Sequence, residues 1–384
     1  MKMAELSPKV ATVLARDIYQ VQLESQVGLF LAKPEFSKGP DSKVYLKADV
    51  GLRTINVNDG FGICAAGGKA YKNDIFLIFR GSTFENDNAD WFSNARIGIE
   101  FSSTGLPVHI GFNQIFQSMK NDIDDFIASN KVTGTIHCVG HSLGGAVATL
   151  VADWLSKSTG NPVRLYTFGA PRPGLMAFAW RLSSRMNKSN IYRTFHSTDP
   201  VPMVPLFPFA QPPLPGYGHC ISSTEAITSA AAHDIGKYAR SVSTSTWEEL
   251  ELRKPPYSVE TIIEQWLESK FPVNPADPKI WQMMNSALVY VLTKAGGVFA
   301  VALQAGISGI VTLADKLAWV LQQSIKLYEK HRSLIASLMR KIAELLCVTV
   351  LKVDAEITQD YMRDMFQRLM NKMNLDAQRA MRGY

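Results

Sequence analysis

Cysteine is scarce in this chain of 384 residues: Cys64, Cys138, Cys220 and Cys347 lie far apart, with no Cys-x-x-Cys pair and no Cys/His ligand cluster. That pattern excludes a disulfide scaffold and a thiolate metal centre, and it reads as reduced, buried thiols. The opening Met1-Lys2-Met3-Ala4-Glu5-Leu6-Ser7-Pro8 lacks the apolar run of a secretory leader and instead has a helix N-cap at Ser7 followed by proline at the first helical position. Synthesis in the cytoplasm without a classical signal peptide is expected, with any export by a signal-independent route. Charge is sparse as well: 19% charged against 46% hydrophobic residues excludes a disordered chain. The formal net charge of +6 reads as a solvated surface, and no nucleic-acid partner is expected. Neither a metal site nor a phosphate-cradling loop is evident, so no cofactor is expected. The length exceeds what one core usually fills, which points to a catalytic domain with an appended region.

Val10, Val13, Leu14, Ile18 and Val21 recur at helical spacing. Ile75 to Phe79 is an uninterrupted apolar run of strand length ending at Arg80-Gly81-Ser82. Phe112, Ile115, Phe116, Met119, Ile123, Phe126 and Ile127 share one helical face, and a second buried strand follows over Thr135 to Val139. A helix over Ala146 to Ser156, a strand over Arg164 to Phe168 and another over Ile191 to Phe195 continue the alternation, which implies an α/β fold with a mostly parallel central sheet. Seven prolines from Pro200 to Pro215 predict a shaped loop without regular structure. Beyond about Pro255 strand signals stop, giving expected units of 1–270 and an all-helical extension of 275–384.

The strongest motif is Gly140-His141-Ser142-Leu143-Gly144, a Gly-x-Ser-x-Gly between a buried strand and a small-residue helix. Such a turn lifts a serine hydroxyl above the sheet edge, and the amide of Leu143, the next residue, faces the developing oxyanion. A serine needs a histidine to take its proton and a carboxylate to orient that histidine. Asp199 stands just past the strand at Ile191 to Phe195, and both His219 and His233 follow it. Either gives the chain order Ser, Asp, His.

Several separate segments together resemble the class 3 lipases: Phe79-Arg80-Gly81-Ser82, Asp90-Trp91, Val108-His109-Ile110-Gly111-Phe112, the serine turn, Tyr166-Thr167-Phe168-Gly169-Ala170-Pro171-Arg172 and Asp199-Pro200-Val201-Pro202. The likeness runs from about Asp74 to Tyr238 and has no counterpart in the C-terminal third. It implies an α/β-hydrolase fold and cleavage of lipid esters. In that family a Gly-Tyr-x-His segment, here Gly216-Tyr217-Gly218-His219, carries a histidine outside the triad. The base comes later, before an aromatic on the final helix, as in Ala232-His233-Asp234-Ile235-Gly236-Lys237-Tyr238. The resemblance therefore implies His233 as base, with His219 in reserve, although one extra residue separates His233 from the tyrosine. It also implies Ser82 as the second oxyanion donor and a lid after it bearing Phe84, Trp91 and Phe92. His109, His137, His141, His196 and His331 are expected to be structural or surface residues.

The tail carries a run from Ala295 to Ala314 without a charge, long enough for a membrane helix or a buried hairpin. Leu334, Ile335, Leu338, Ile342, Leu345 and Leu346 then form an apolar stripe near Lys326, Lys330, Arg332, Arg340 and Lys341, which suits either an anionic membrane or one wall of a bundle. The expected function is a serine esterase acting on glycerolipids, a phospholipase A or lipase at a membrane surface, with an antibacterial effector met by an inhibitory or immunity partner as one form of it. The alternatives are a non-catalytic lipase-like scaffold and a membrane-perturbing protein.

Overall fold

The computed structural model describes residues 5–39, 42–50, 57–82, 98–130, 132–205, 208–214, 216, 218–225, 229–251, 260–275, 277, 279–294, 312–328, 330–349 and 357–381. Its strands are β1 (Lys43–Val50), β2 (Val57–Ala66), β3 (Ile75–Phe79), β4 (Ile99–Phe101), β5 (Pro107–His109), β6 (Ile136–His141), β7 (Val163–Phe168), β8 (Gly174–Leu175), β9 (Ile191–His196), β10 (Phe209–Ala210) and β11 (His219–Ile221). Seven form one sheet in the order β1-β2-β3-β6-β7-β9-β11, and four form a smaller one in the order β10-β8-β5-β4. From β3 to β11 all neighbours in the large sheet are parallel, whereas β1 and β2 extend it antiparallel. The mostly parallel sheet agrees with the alternation of apolar runs. The antiparallel hairpin and the small sheet carry no comparable run.

Burial on both faces explains why β3, β6, β7 and β9 read as continuous apolar segments. Phe76 and Ile78 face a layer containing α1 (Pro8–Asp17) and its neighbours, where Ala11, Leu14 and Ala15 pack with Val139, Tyr166 and Phe168. Ile75, Leu77 and Phe79 face the opposite layer. That layer holds α3 (Ile110–Asn130), α4 (Leu143–Ser158) and α5 (Met176–Met186), whereas the shorter α2 (Val27–Leu31) packs on the α1 side through Phe30 and Leu31. The result is helix, sheet, helix, the arrangement of an α/β-hydrolase. Ser7 caps α1 as its sequence suggests, accepting the Val10 amide at 3.3 Å.

Register places the loops that carry the candidate residues together. Phe79 pairs with Gly140, Gly140 with Thr167, and Thr167 with Arg193, so β3, β6, β7 and β9 end along one edge of the sheet. The segments leaving that edge are those that carry Ser82, Ser142, Gly169 and Asp199.

The proline-rich loop departs from expectation: it contains a 3-10 turn, Val201–Met203, and the two-residue strand β10. Phe209 and Ala210 retain their amides between prolines and pair with β8. Among the described residues no strand follows β11, and the helices Ile280–Lys294, Leu313–Leu327, Lys330–Leu345 and Gln359–Met381 pack into the same apolar core as α3 and α4. The stripe of Ile335, Leu338, Ile342 and Leu345 is buried there as a bundle wall. Gln359–Met381 also rests on the turns Val201–Met203 and Ala230–His233. No helix among the described residues is long and apolar enough to cross a membrane, and 295–311 of the uncharged run lies outside them.

Candidate active site

The turn after β6 is strained in a way its sequence provides for. Ser142 sits at φ 55° and ψ −131°, where a side-chain-bearing residue is costly, and its amide is tied to the Phe168 carbonyl at 3.0 Å. A Cβ on Gly144 would stand 2.3 Å from the Phe79 carbonyl oxygen, so only glycine lets α4 begin this close to β3. The serine is thereby lifted to the sheet edge at the start of α4.

His233 and Asp199 meet it there. Ser142 Oγ lies 2.8 Å from His233 Nε2, and His233 Nδ1 lies 2.8 Å from Asp199 Oδ2. Because a carboxylate only accepts, Nδ1 carries the proton and Nε2 is free to accept from the serine hydroxyl. All three are buried, with 2% of Ser142, 3% of His233 and 1% of Asp199 exposed, so solvent does not compete for these bonds. Asp199 accepts two further donors: the Tyr238 hydroxyl at 2.7 Å on Oδ2 and the Val201 amide at 2.9 Å on Oδ1. Tyr238, on α6 (Ile235–Val242), in turn accepts the His196 amide at 2.9 Å. Burial and the facing carboxylate raise the Tyr238 phenol well above its ordinary range, which keeps it a donor. Gly169, at φ +57°, lets the backbone pass beneath this group, since a Cβ there would lie 2.9 Å from Asp199 Oδ2 and 3.1 Å from His233 Nδ1.

The other sequence-derived candidates fall as follows. Ser82 follows Gly81, which packs against the Ser142 side chain, and its Oγ is buried with no hydrogen-bond partner among the described residues. Leu143 is the first residue of α4 and follows the serine directly. His219 is not brought to Ser142: its ring stacks on Tyr192 at 6.3 Å and lies 5.1 Å from Trp247. Phe84, Trp91 and Phe92 lie outside the described residues. No group of three or more metal-binding side chains occurs among the described residues. The sequence reading missed Tyr19, whose hydroxyl is 2.7 Å from His141 Nδ1, and the hydrogen-bonding roles of Tyr238, His141 and His196. Only Tyr238 had a signal, as the aromatic that follows the histidine.

Residues 76–209 match the protein family Lipase (class 3). The chain is 33% identical over 184 residues to the secreted mono- and diacylglycerol lipase 1 of Fusarium solani, covering 47% of this chain and 50% of that protein. It is 35% identical over 102 residues to the toxin TseL of Vibrio cholerae, covering 26% of this chain and 15% of that protein. The chain thus spans half or less of the length of these relatives. Among solved structures, Lip2 lipase from Yarrowia lipolytica is similar with 23% identity, a TM-score of 0.40, and coverage of 56% of this chain and 77% of that one.

Burial depresses the proton affinity of His137, His141, His196 and His219, and lowers that of His109 to about 4. Unfolding therefore takes up protons below the ordinary histidine value of about 6.5, and stability falls as pH drops through that point toward the folded values. The urea unfolding midpoint is expected to be flat from pH 8 to 7 and to decline steadily to pH 5. A midpoint unchanged over that span contradicts the neutral, buried state of these rings.

Proposed function

We propose that this chain, whose residues 76–209 match the class 3 lipase family, is a serine esterase that hydrolyses carboxylic esters of glycerolipids. The observation that carries the reading is the unbroken series Ser142, His233, Asp199, each link 2.8 Å. In this mechanism Ser142 Oγ attacks the ester carbonyl while His233 Nε2 takes its proton, and Asp199 stabilises the resulting imidazolium. The Leu143 amide and Ser82 receive the negative charge on the carbonyl oxygen. His233 then returns the proton to the departing glycerol oxygen, and water, deprotonated by the same ring, releases the fatty acid.

The lipase unit spans 1–270 and the helical extension 275–384. Phospholipid is the preferred substrate class, a phospholipase A activity. In a vesicle assay of fatty-acid release, Ser142→Ala and His233→Ala are each expected to lose about 10⁴-fold or more, while His219→Ala keeps most of the activity. Absence of release by the intact protein from both phospholipid and triacylglycerol would leave the scaffold or membrane-perturbing readings.

The likeness to a protein named a toxin favours a second reading, that of an antibacterial effector exported by a signal-independent route and restrained by an inhibitory or immunity partner. Directed to a bacterial periplasm, the chain is expected to stop growth and Ser142→Ala to permit it. Equal growth of the two strains contradicts this reading.

A further inference from the structure

Two buried histidines outside the Ser142, His233, Asp199 series are bonded to the backbone that carries His233. His141 Nε2 lies 2.9 Å from the His233 carbonyl oxygen and His196 Nδ1 lies 2.6 Å from the Ala232 carbonyl oxygen. A carbonyl only accepts, so His141 carries its proton on Nε2 and His196 carries its proton on Nδ1. The remaining nitrogens accept from hydroxyls: His141 Nδ1 from Tyr19 at 2.7 Å, and His196 Nε2 from Ser241 at 3.0 Å. Burial holds both rings below the ordinary histidine range and hence neutral, which preserves these donor and acceptor assignments.

The segment they grip has little regular structure of its own. Ala230–His233 is a four-residue 3-10 turn, capped at one end by Ser229, whose side chain accepts the Ala231 amide at 3.1 Å. Such a turn makes few internal bonds, so its position depends on what holds it from outside. The hold comes from both sides of the base. His141 ends β6 and directly precedes Ser142, so one strand end bonds the backbone of residue 233 through one residue and the ring of residue 233 through the next. His196 ends β9, three residues before Asp199, and its ring stacks on Tyr238 at 4.0 Å. The rings of His141 and His233 are 4.6 Å apart at 32°.

We infer that His141 and His196 are positioning residues: each donates an imidazole N–H to a carbonyl of the turn bearing His233, and together they fix that ring between Ser142 and Asp199. The inference rests on the proposed role of His233 as base. It concerns the placement of the turn and not the binding of substrate. Loss of either donor leaves a buried carbonyl unpaired and frees the turn to shift, and a displacement of about 1 Å in a reacting group costs on the order of 100-fold in rate.

The test uses the full chain and a soluble short-chain nitrophenyl ester. His141→Leu and His196→Leu are expected to lower kcat by about 10- to 100-fold with KM nearly unchanged. His141→Gln, whose amide nitrogen reaches the place of Nε2, and His196→Asn, whose amide nitrogen takes the place of Nδ1, should recover most of that loss. Leucine variants as active as the wild type, losses confined to KM, or amide variants no better than leucine overturn the inference. A second measurement holds even where a leucine variant fails to fold: ¹⁵N spectra of the wild-type imidazoles should show His141 protonated at Nε2 and His196 at Nδ1, and the opposite tautomer at either overturns it. A wild type inert toward the ester, with those tautomers present, instead removes His233 as base, and the positioning role falls with it.

Discussion

A carboxylate withdrawn from water must be surrounded by donors, because an unpaired buried charge costs several kcal/mol. Asp199 meets that condition with three: His233 and Tyr238 on one oxygen and the Val201 amide on the other. Each donor ties a different part of the chain to the end of β9. Tyr238 brings α6 beneath the sheet edge, His233 brings the turn that precedes α6, and Val201 folds the start of the proline-rich loop back on itself. Gly169 must be bare for these groups to converge, since a Cβ there would meet Asp199, His233 and Tyr238.

The same residue type serves different ends around this carboxylate, and the tautomer decides which. His233 keeps Nε2 free for the serine hydroxyl, His141 spends Nε2–H on a carbonyl, and His196 spends Nδ1–H on another. None of these assignments follows from the presence of a histidine in the sequence. They follow from which neighbour is a carboxylate, a carbonyl or a hydroxyl, and that is known only once the elements are packed. The C-terminal helices enter the same arrangement: Gln359–Met381 lies on the two turns that flank Asp199 and His233, while Gln282 donates to the Ser197 carbonyl at 3.3 Å and Arg172 to Asn285 at 2.7 Å.

Much of the fold was legible because its central strands are buried on both faces. Ile75–Phe79 appears as a strand over the very residues where its apolar run lies, and the helix face from Phe112 to Ile127 lies within α3. The hairpin β1-β2 was not legible, since its residues mix charged and small side chains over an edge of the sheet. Ser142 and Asp199 could be singled out because a glycine-flanked turn and an acid after a strand leave local marks. The choice between His219 and His233 could not be made from spacing alone. Both follow Asp199, and only the packing, which sends His219 into the aromatic group of Tyr192 and Trp247 and His233 to the serine, separates them. Tyr19 left no mark at all, for its contact spans 122 residues of sequence to His141.

That Ser142 is a nucleophile activated by His233 is the claim on which the functional reading stands. The most direct measurement is the mass of the intact chain after exposure to a fluorophosphonate, with the adduct located by peptide mapping. A single adduct on Ser142, absent from His233→Ala, is the expected result. An unmodified wild-type chain, an adduct on another serine, or full modification of His233→Ala would contradict it.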